Sequence, residues 1–397
     1  MTLINLKITQ DKLYFLAMKF TNLVVASIFP VVYIYFFNLE MLGKTVQEIS
    51  IVVAFKLLMM FTPATLIQKL SMDDEFNFKQ FYFNRFAYES VAKGFLAGLF
   101  FLFDFQFIAT AIMLTIFSCF RENIAVFLNM NGRYIVYGAL SNLPNVVFII
   151  LIISFSFIGD DIVLLSFLIS DILFFFIALL FIKRSDNFTD NNTSRVDLKL
   201  ILHHYFLFIP TAIQSTLVSF FVNYIPLQSA GVFKIIMTIG GFGNVIGVTI
   251  KEFIEPYYRK SLLKDGLRTR LITKELIYLI IGMAIMLFPV SYIYAYFLPL
   301  STNLVLMPGY ALIVSALFVH LSSNHLLFLY KEGMEISVLK IRWSMLLFYT
   351  LGIMYALYVE PINAVVIMIF VLVLSRIFQS GFLIVVSSNH QRKYYGS

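Results

Sequence analysis

KRSDNFTDNNTSRVDLK, residues 183–199, is the most loop-like stretch of this chain. It separates two blocks that are almost continuously apolar. A helix needs about 20 mostly apolar residues to cross about 30 Å of hydrocarbon, and each block holds six such runs. The first six are Leu13–Phe37, Val46–Ile67, Tyr82–Phe103, Phe105–Met130, Tyr134–Phe157 and Ile162–Ile182. The second six are Ile201–Ile225, Ala230–Ile254, Leu276–Leu298, Leu304–Tyr330, Ile336–Val359 and Ile362–Ser387. The expected fold is an all-α integral membrane protein of about twelve transmembrane helices: residues 1–183 form one six-helix lobe, 184–200 a cytoplasmic linker and 201–397 the second lobe. Six is even, so both halves enter from one side and return to it. Halves of that kind are related by a pseudo-two-fold axis along the membrane normal.

Lysine and arginine test this assignment independently of hydropathy. Odd-numbered loops carry essentially one basic residue, Lys44. Even-numbered loops and the two ends carry most of the others: Lys69, Lys79 and Arg85; Arg133; Lys183, Arg184, Arg195 and Lys199; a dense run from Lys251 through Arg259, Lys260, Lys264, Arg268 and Arg270 to Lys274; Lys331, Lys340 and Arg342; Arg392 and Lys393. Basic residues concentrate on the cytoplasmic side of a membrane protein, so both termini are expected there. Met1–Lys12 is polar and the apolar run after it is too long for a signal peptide.

Composition agrees. The chain is 60% hydrophobic and 13% charged, with mean hydropathy +0.88, whereas soluble domains carry about 25% charge. The net charge of +7 sits in the basic loops facing anionic headgroups, which removes the need for a nucleic-acid partner. The single cysteine, Cys119, lies within a span, so neither an intrachain disulfide nor a cysteine metal cluster is expected.

Several chemistries lack their motifs. No nucleotide-binding G-x-x-x-x-G-K-[ST] loop is present, and none of the five histidines forms H-E-x-x-H. Gly240, Gly241, Gly243 and Gly247 lie mid-span, with Gly243 and Gly247 at the spacing of close helix packing. Gly94 and Gly98 repeat that spacing. The carboxylate pairs Asp73-Asp74 and Asp160-Asp161 stand in loops without a folded domain around them. The short outer loops leave no room for an enzyme site, so no catalytic residue, cofactor or metal is expected.

Ionisable residues inside spans are costly and mark function by default. The cations are Lys19, Lys56, Lys93, Arg121, Lys234 and Arg376; the anions are Glu89, Glu122 and Asp171. Glu89 and Lys93 are four apart in the favourable order and can neutralise each other. Arg121, toward the cytoplasmic third of its span, can snorkel. Lys19, Lys56 and Lys234 lack a sequence-local partner. Alignment of the halves on their outer loops sets Lys56 and Lys234 about three residues apart in register, which suggests a shared anionic ligand. Snorkelling accounts for Lys19 and Lys234 equally well. Mid-span Asp171 is a candidate proton or sodium site or a partner of Arg376 across the bundle. His320 and His325 lie in the tenth span, as candidates for proton coupling or as satisfied core histidines.

In architecture, and in the segment Leu227–Leu271 with its outer turn Ser229-Ala230-Gly231-Val232-Phe233, Pro256 and the basic loop after it, the chain resembles the Wzx-type polysaccharide flippases. These are a branch of the multidrug/oligosaccharidyl-lipid/polysaccharide exporter superfamily. The corresponding first-half segment departs from the pattern, since Ile49-Ser50-Ile51 lacks the glycine. The resemblance implies movement of an undecaprenyl-diphosphate-linked oligosaccharide to the periplasmic leaflet of a bacterial inner membrane, for O-antigen lipopolysaccharide or a related polymer. It also implies alternating access, coupling to H+ or Na+, and a polymerase of the same pathway as a partner. Cations of the first, second and eighth helices line the cavity in such proteins, which places Lys19, Lys56 and Lys234 here. Arg376 joins them as a substrate-binding candidate, and Asp171 and Glu89 are the ion-coupling candidates. Lysine binds phosphate as a point charge without rigid geometry. A drug/cation antiporter of the same superfamily is the nearest rival and would favour acidic residues in the cavity. A major-facilitator transporter would show a G-x-x-x-D-R-x-G-R-R-like loop, and an O-antigen polymerase or ligase a large periplasmic loop.

Overall fold

Residues 10–71, 78–158, 162–183, 198–264 and 274–395 are described by a computed structural model. Asp73-Asp74, Asp160-Asp161 and most of the central linker lie outside the described residues. Lipid offers backbone N–H and C=O groups no partner, so a chain at membrane depth closes its hydrogen bonds within helices. Thirteen helices result: α1 (Gln10–Phe36), α2 (Leu39–Leu58), α3 (Ala64–Leu70), α4 (Phe78–Leu102), α5 (Gln106–Met130), α6 (Tyr134–Ser156), α7 (Ile162–Lys183), α8 (Leu198–Tyr224), α9 (Leu227–Lys264), α10 (Lys274–Tyr296), α11 (Thr302–Lys331), α12 (Glu335–Ala356) and α13 (Pro361–Tyr395). Among the described residues, nine of them are long and apolar enough to cross a membrane. Of the other long helices, α2 carries Glu40, Lys44, Glu48 and Lys56, and α4 carries Lys79, Arg85, Glu89 and Lys93.

The second expected span is not one helix. Asn38 caps α2, its side chain accepting from Met41 N–H at 2.7 Å, so the first connection is a two-residue turn and Lys44 lies within α2. At the other end α2 stops at Leu58, and the chain resumes as α3 after Pro63. Proline has no N–H to extend the ladder and its ring obstructs the preceding turn. Lys56 is therefore in the last turn of α2, not mid-span. The eighth and twelfth spans run longer than expected, α9 to Lys264 and α13 to Tyr395.

The helices form two lobes, α1–α7 and α8–α13, packed to one plan. In the first lobe α1 packs on α6, α2 on α5, α4 on α5, and α7 on α5 and α6. In the second α8 packs on α12, α9 on α11, α10 on α11, and α13 on α11 and α12. Exchange of α1 for α8, α2 for α9, α4 for α10 and so on maps each of these pairs onto its counterpart. Between lobes α2 crosses α9, and α2 on α8 mirrors α9 on α1. The same turn ends α5 and α11, with Gly132 and Gly333 at φ +73° and +69°, a conformation that favours glycine.

The crossing of α2 and α9 is built from a repeated Leu-x-x-x-Gly. A Cβ on Gly43 would meet the Leu227 carbonyl oxygen at 1.9 Å, and one on Gly231 the Leu39 oxygen at 2.7 Å. The contact is reciprocal, so Leu39 aligns with Leu227 and Gly43 with Gly231. The first half thus has its glycine, four residues into α2. Under this alignment Lys56 matches Asn244 and Lys234 matches Val46, which corrects the expected near-register of the two lysines. Gly243, as its spacing suggested, brings α9 against the backbone of Ile313 on α11, where an added Cβ would stand 2.7 Å away. Gly94 and Gly98 meet nothing within 4 Å.

The apolar core has an uneven distribution. Near the face of the 37–38 and 225–226 turns one cluster spans both lobes, with Tyr33, Leu42 and Val46 packed with Phe221, Phe233 and Leu298. Toward the basic face the buried residues fall into separate clusters, Phe15, Phe78, Tyr82 and Phe120 of the first lobe joined by Ile201 of α8, and Leu207, Phe328, Val338 and Leu383 of the second. The lobes share one continuous apolar core at the outer face, whereas toward the basic face the buried residues divide between clusters.

Candidate functional site

Polar groups add a seal at the outer face. Gln47 on α2 donates through Nε2 to the carbonyl oxygens of Val222 (3.0 Å) and Ile225 (3.2 Å), which the end of α8 leaves without helical donors. Asn223 donates to Ser50 Oγ at 3.0 Å, Ser50 and Ser219 hydroxyls meet at 3.1 Å, and Gln228 donates to Glu40 at 2.9 Å. Nearer the basic face Tyr205 Oη donates to the Leu58 oxygen at 2.7 Å across the lobes, with Phe61 edge-on to the Tyr205 ring.

The membrane-depth charges divide by lobe. In the first lobe Lys56 Nζ pairs with Glu122 on α5 at 2.5 Å. Arg121 meets Asp171 on α7 at 3.0 Å and Glu122 at 3.7 Å, and donates to the Leu140 oxygen at 2.8 Å. Arg121 is buried and does not snorkel, and Asp171 has Arg121 rather than Arg376 as its partner. Glu89 meets Lys93 at 3.4 Å and Arg85 at 3.3 Å and accepts from Thr62, so the expected neutralisation on α4 is present and extended by Arg85. Lys93 Nζ lies 5.8 Å from both the Phe61 and Phe120 ring centres.

In the second lobe the corresponding positions carry no ion pair. Lys56 is matched by Asn244, whose Oδ1 lies 3.1 Å from His320 Nε2. Alignment of the Gly132 and Gly333 turns matches Arg121 with Ser322, which bonds Ser380 of α13 at 3.2 Å. His325 Nδ1 bonds Ser387 within the lobe core. A cavity of about 10 Å³, room for one water, lies beside His320 among Gly247, Lys251, Leu317 and Asn324.

The remaining membrane-depth cations are not joined in one cluster by any direct contact among the described residues. Lys19 Nζ, on α1, lies 5.5 Å from the Phe15 ring of the same helix and 5.8 Å from the Tyr137 ring of α6. Lys234 Nζ stands 5.7 Å from Phe29 across the α1–α9 seam, and among the described residues no carboxylate pairs with it. His320 is within electrostatic range of Lys251, Arg376 and Lys19. Arg376 on α13 likewise has no ion pair among the described residues. Of the sequence candidates, Lys234 thus stands in the α1–α9 seam and Lys56 is paired within the first lobe, while Lys251 lines the small cavity at His320. Sequence reasoning missed the seal of Gln47, Ser50 and Asn223 and the role of Asn244. Polar side chains within apolar spans and the two Leu-x-x-x-Gly repeats were the available signals.

No known family profile matches the chain, and no curated protein sequence matches it. Solved structures do. A variant of the Vibrio cholerae MATE transporter VcmN superposes with a TM-score of 0.62 at 12% identity, covering 97% of this chain and 98% of that one. The bent form of VcmN gives 0.53 at 13%, covering 96% and 97%. The MATE multidrug transporter DinF-BH gives 0.57 at 13%, covering 96% of both. At such identities the likeness is one of fold: two helical lobes on the plan of the MATE transporters, which belong to the exporter superfamily named above.

Proposed function

We propose that the protein is a membrane exporter that carries an anionic, lipid-linked oligosaccharide between leaflets by alternating access. The observation that carries this reading is the charge inventory at membrane depth. Glu89, Glu122 and Asp171 are each engaged by cations, whereas Lys234 and Arg376 have no carboxylate partner among the described residues. Buried charge without a counter-charge is costly, and a diphosphate head supplies what is missing. Its polyisoprenyl tail stays in lipid while the sugar crosses between the lobes.

With the basic face assigned to the cytoplasm by the positive-inside rule, the substrate enters from that face, where the core shared by the lobes at the opposite face gives way to separate clusters. The enclosing membrane is then the bacterial inner membrane. Coupling to H+ or Na+ through Asp171 or Glu89 requires the ion to compete with an existing ion pair, so Asp171→Asn is expected to lower gradient-driven transport while retaining the fold. A downstream polymerase is the partner this role implies.

The names of the solved neighbours favour a second reading, a multidrug/cation antiporter. Binding separates the two. In nanodiscs the purified protein is expected to bind undecaprenyl-diphosphate saccharide more tightly than a lipophilic cationic dye, with Lys234→Gln weakening the former at least fivefold. Tighter binding of the dye, unaffected by that substitution, establishes the antiporter instead.

A further inference from the structure

The second span breaks where its counterpart does not. α2 stops at Leu58 and α3 begins at Ala64, whereas Ile246, which the crossing aligns with Leu58, lies inside α9, continuous to Lys264. The helix plan shared by the lobes therefore does not require the break. A helix end leaves its last four carbonyls without helical donors, and at membrane depth each needs a partner. Each of the four has one. Met59 N–H donates to the Phe55 oxygen at 2.9 Å and Met60 N–H to the Leu57 oxygen at 3.3 Å. The Cys119 thiol of α5 donates to the Lys56 oxygen at 3.7 Å. The Leu58 oxygen accepts from Tyr205 Oη at 2.7 Å, and Tyr205 belongs to α8 of the other lobe. The Tyr205 ring also meets Phe61 edge-on, with ring centres 5.4 Å apart. The segment between the two helices is fastened to its own lobe from α4. Thr62 donates to Glu89, and Lys93 Nζ stands 5.8 Å from the centre of the Phe61 ring.

We propose that residues 59–63 form a gate toward the basic face, latched to the second lobe by Tyr205. On the exporter reading above, on which this rests, the latch is the contact that breaks when the lobes part on the cytoplasmic side. A break between two helices absorbs backbone rotation that a continuous helix resists. One neutral hydrogen bond and one ring contact are readily broken and remade. Glu89 positions the segment: it accepts from Thr62 while paired with Lys93 at 3.4 Å and Arg85 at 3.3 Å, so the gate is braced on the first lobe and moves with it. The outer face is held by several ties, those of Gln47, Asn223 and Gln228 among them. Loss of the Tyr205 bond therefore parts the lobes at the basic face first.

The test is labelling of Ser215→Cys by a membrane-impermeant maleimide, applied from the basic face to the full chain in vesicles. Ser215 is half-buried, one turn from Ser219 toward the basic face on the same side of α8, and so lies between the outer ties and the latch. Cys119 is replaced by Ser, whose hydroxyl still donates to the Lys56 oxygen. Tyr205→Phe keeps the ring and removes the donor, and is expected to raise the labelling rate about threefold. Phe61→Leu is expected to raise it by about the same factor through loss of the ring contact. Tyr35→Phe removes a tie to the Phe297 oxygen at the outer face, 2.9 Å long, and is expected not to raise it. Equal labelling in the parent and both latch variants overturns the gate. So does a rise with Tyr35→Phe as large as that with Tyr205→Phe. A bridge across the latch gives the converse. Phe61→Cys with Tyr205→Cys, joined by a short cleavable thiol reagent, is expected to stop transfer of undecaprenyl-diphosphate oligosaccharide between leaflets, and cleavage to restore it; undiminished transfer in the bridged protein overturns the gate. If the latch variants raise labelling as expected but the unbridged protein moves no lipid-linked oligosaccharide, the gate stands and the exporter reading falls.

Discussion

Lys56, Arg121, Glu122 and Asp171 close on one another between α2, α5 and α7, while Asn244, His320, Ser322 and Ser380 occupy the matching place between α9, α11 and α13. The two lobes share a helix plan, yet one fastens its core with ion pairs and the other with neutral hydrogen bonds. The ionic set is self-sufficient, with two cations facing two anions. Arg376, on α13 of the same lobe, has no counter-charge among the described residues. The difference is one of bracing: ion pairs hold the first lobe at this depth, and neutral hydrogen bonds hold the second.

The largest effect on stability is expected from a break in the brace. Asp171→Ala leaves Arg121 buried without its partner, which costs about 3–5 kcal/mol; thermal unfolding of the purified protein would show it. A loss as small as that from Ser380→Ala, about 0.5–1.5 kcal/mol for a neutral hydrogen bond, would erase the contrast between lobes. Next comes the crossing of α2 and α9. Gly43→Ala places a methyl on the Leu227 carbonyl and is expected to cost about 1–3 kcal/mol by overpacking. It should also raise labelling of a cysteine introduced at Ser50 by a membrane-impermeant reagent added outside; unchanged labelling would mean the seal does not depend on this contact. The smallest effect should be that of paired replacement. Lys56→Met with Glu122→Leu is expected to lie within about 1 kcal/mol of the parent, whereas either single change costs more, a coupling of about 0.5–3 kcal/mol in a double-mutant cycle. Additive single effects would show that the pair contributes nothing as a pair.

The helices were legible because membrane spans are set by length and apolarity, and charge alternation fixed their order. The break in the second span was written at Pro63, but the apolar residues around it masked it in a hydropathy reading. The duplicated crossing was also present in the sequence as LEMLG and LQSAG at residues 39–43 and 227–231, yet two shared residues in five become evidence only when the helices meet. The partners of the charges were least legible. Lys56 and Glu122 are 66 positions apart and Arg121 and Asp171 50 apart, so only the packing of α5 against α2 and α7 brings them together. Glu89 and Lys93 were readable because a single helix turn joins them.

Leaflet exposure of the lipid-linked substrate tests the central claim most directly. Vesicles would carry the purified protein and an undecaprenyl-diphosphate oligosaccharide, with exposure read by a lectin confined to one side. Substrate is expected to appear on the lectin side only in vesicles that contain the protein, and Arg376→Gln is expected to slow its appearance at least tenfold. Equal exposure in vesicles with and without the protein would contradict the assignment as an exporter of lipid-linked oligosaccharide.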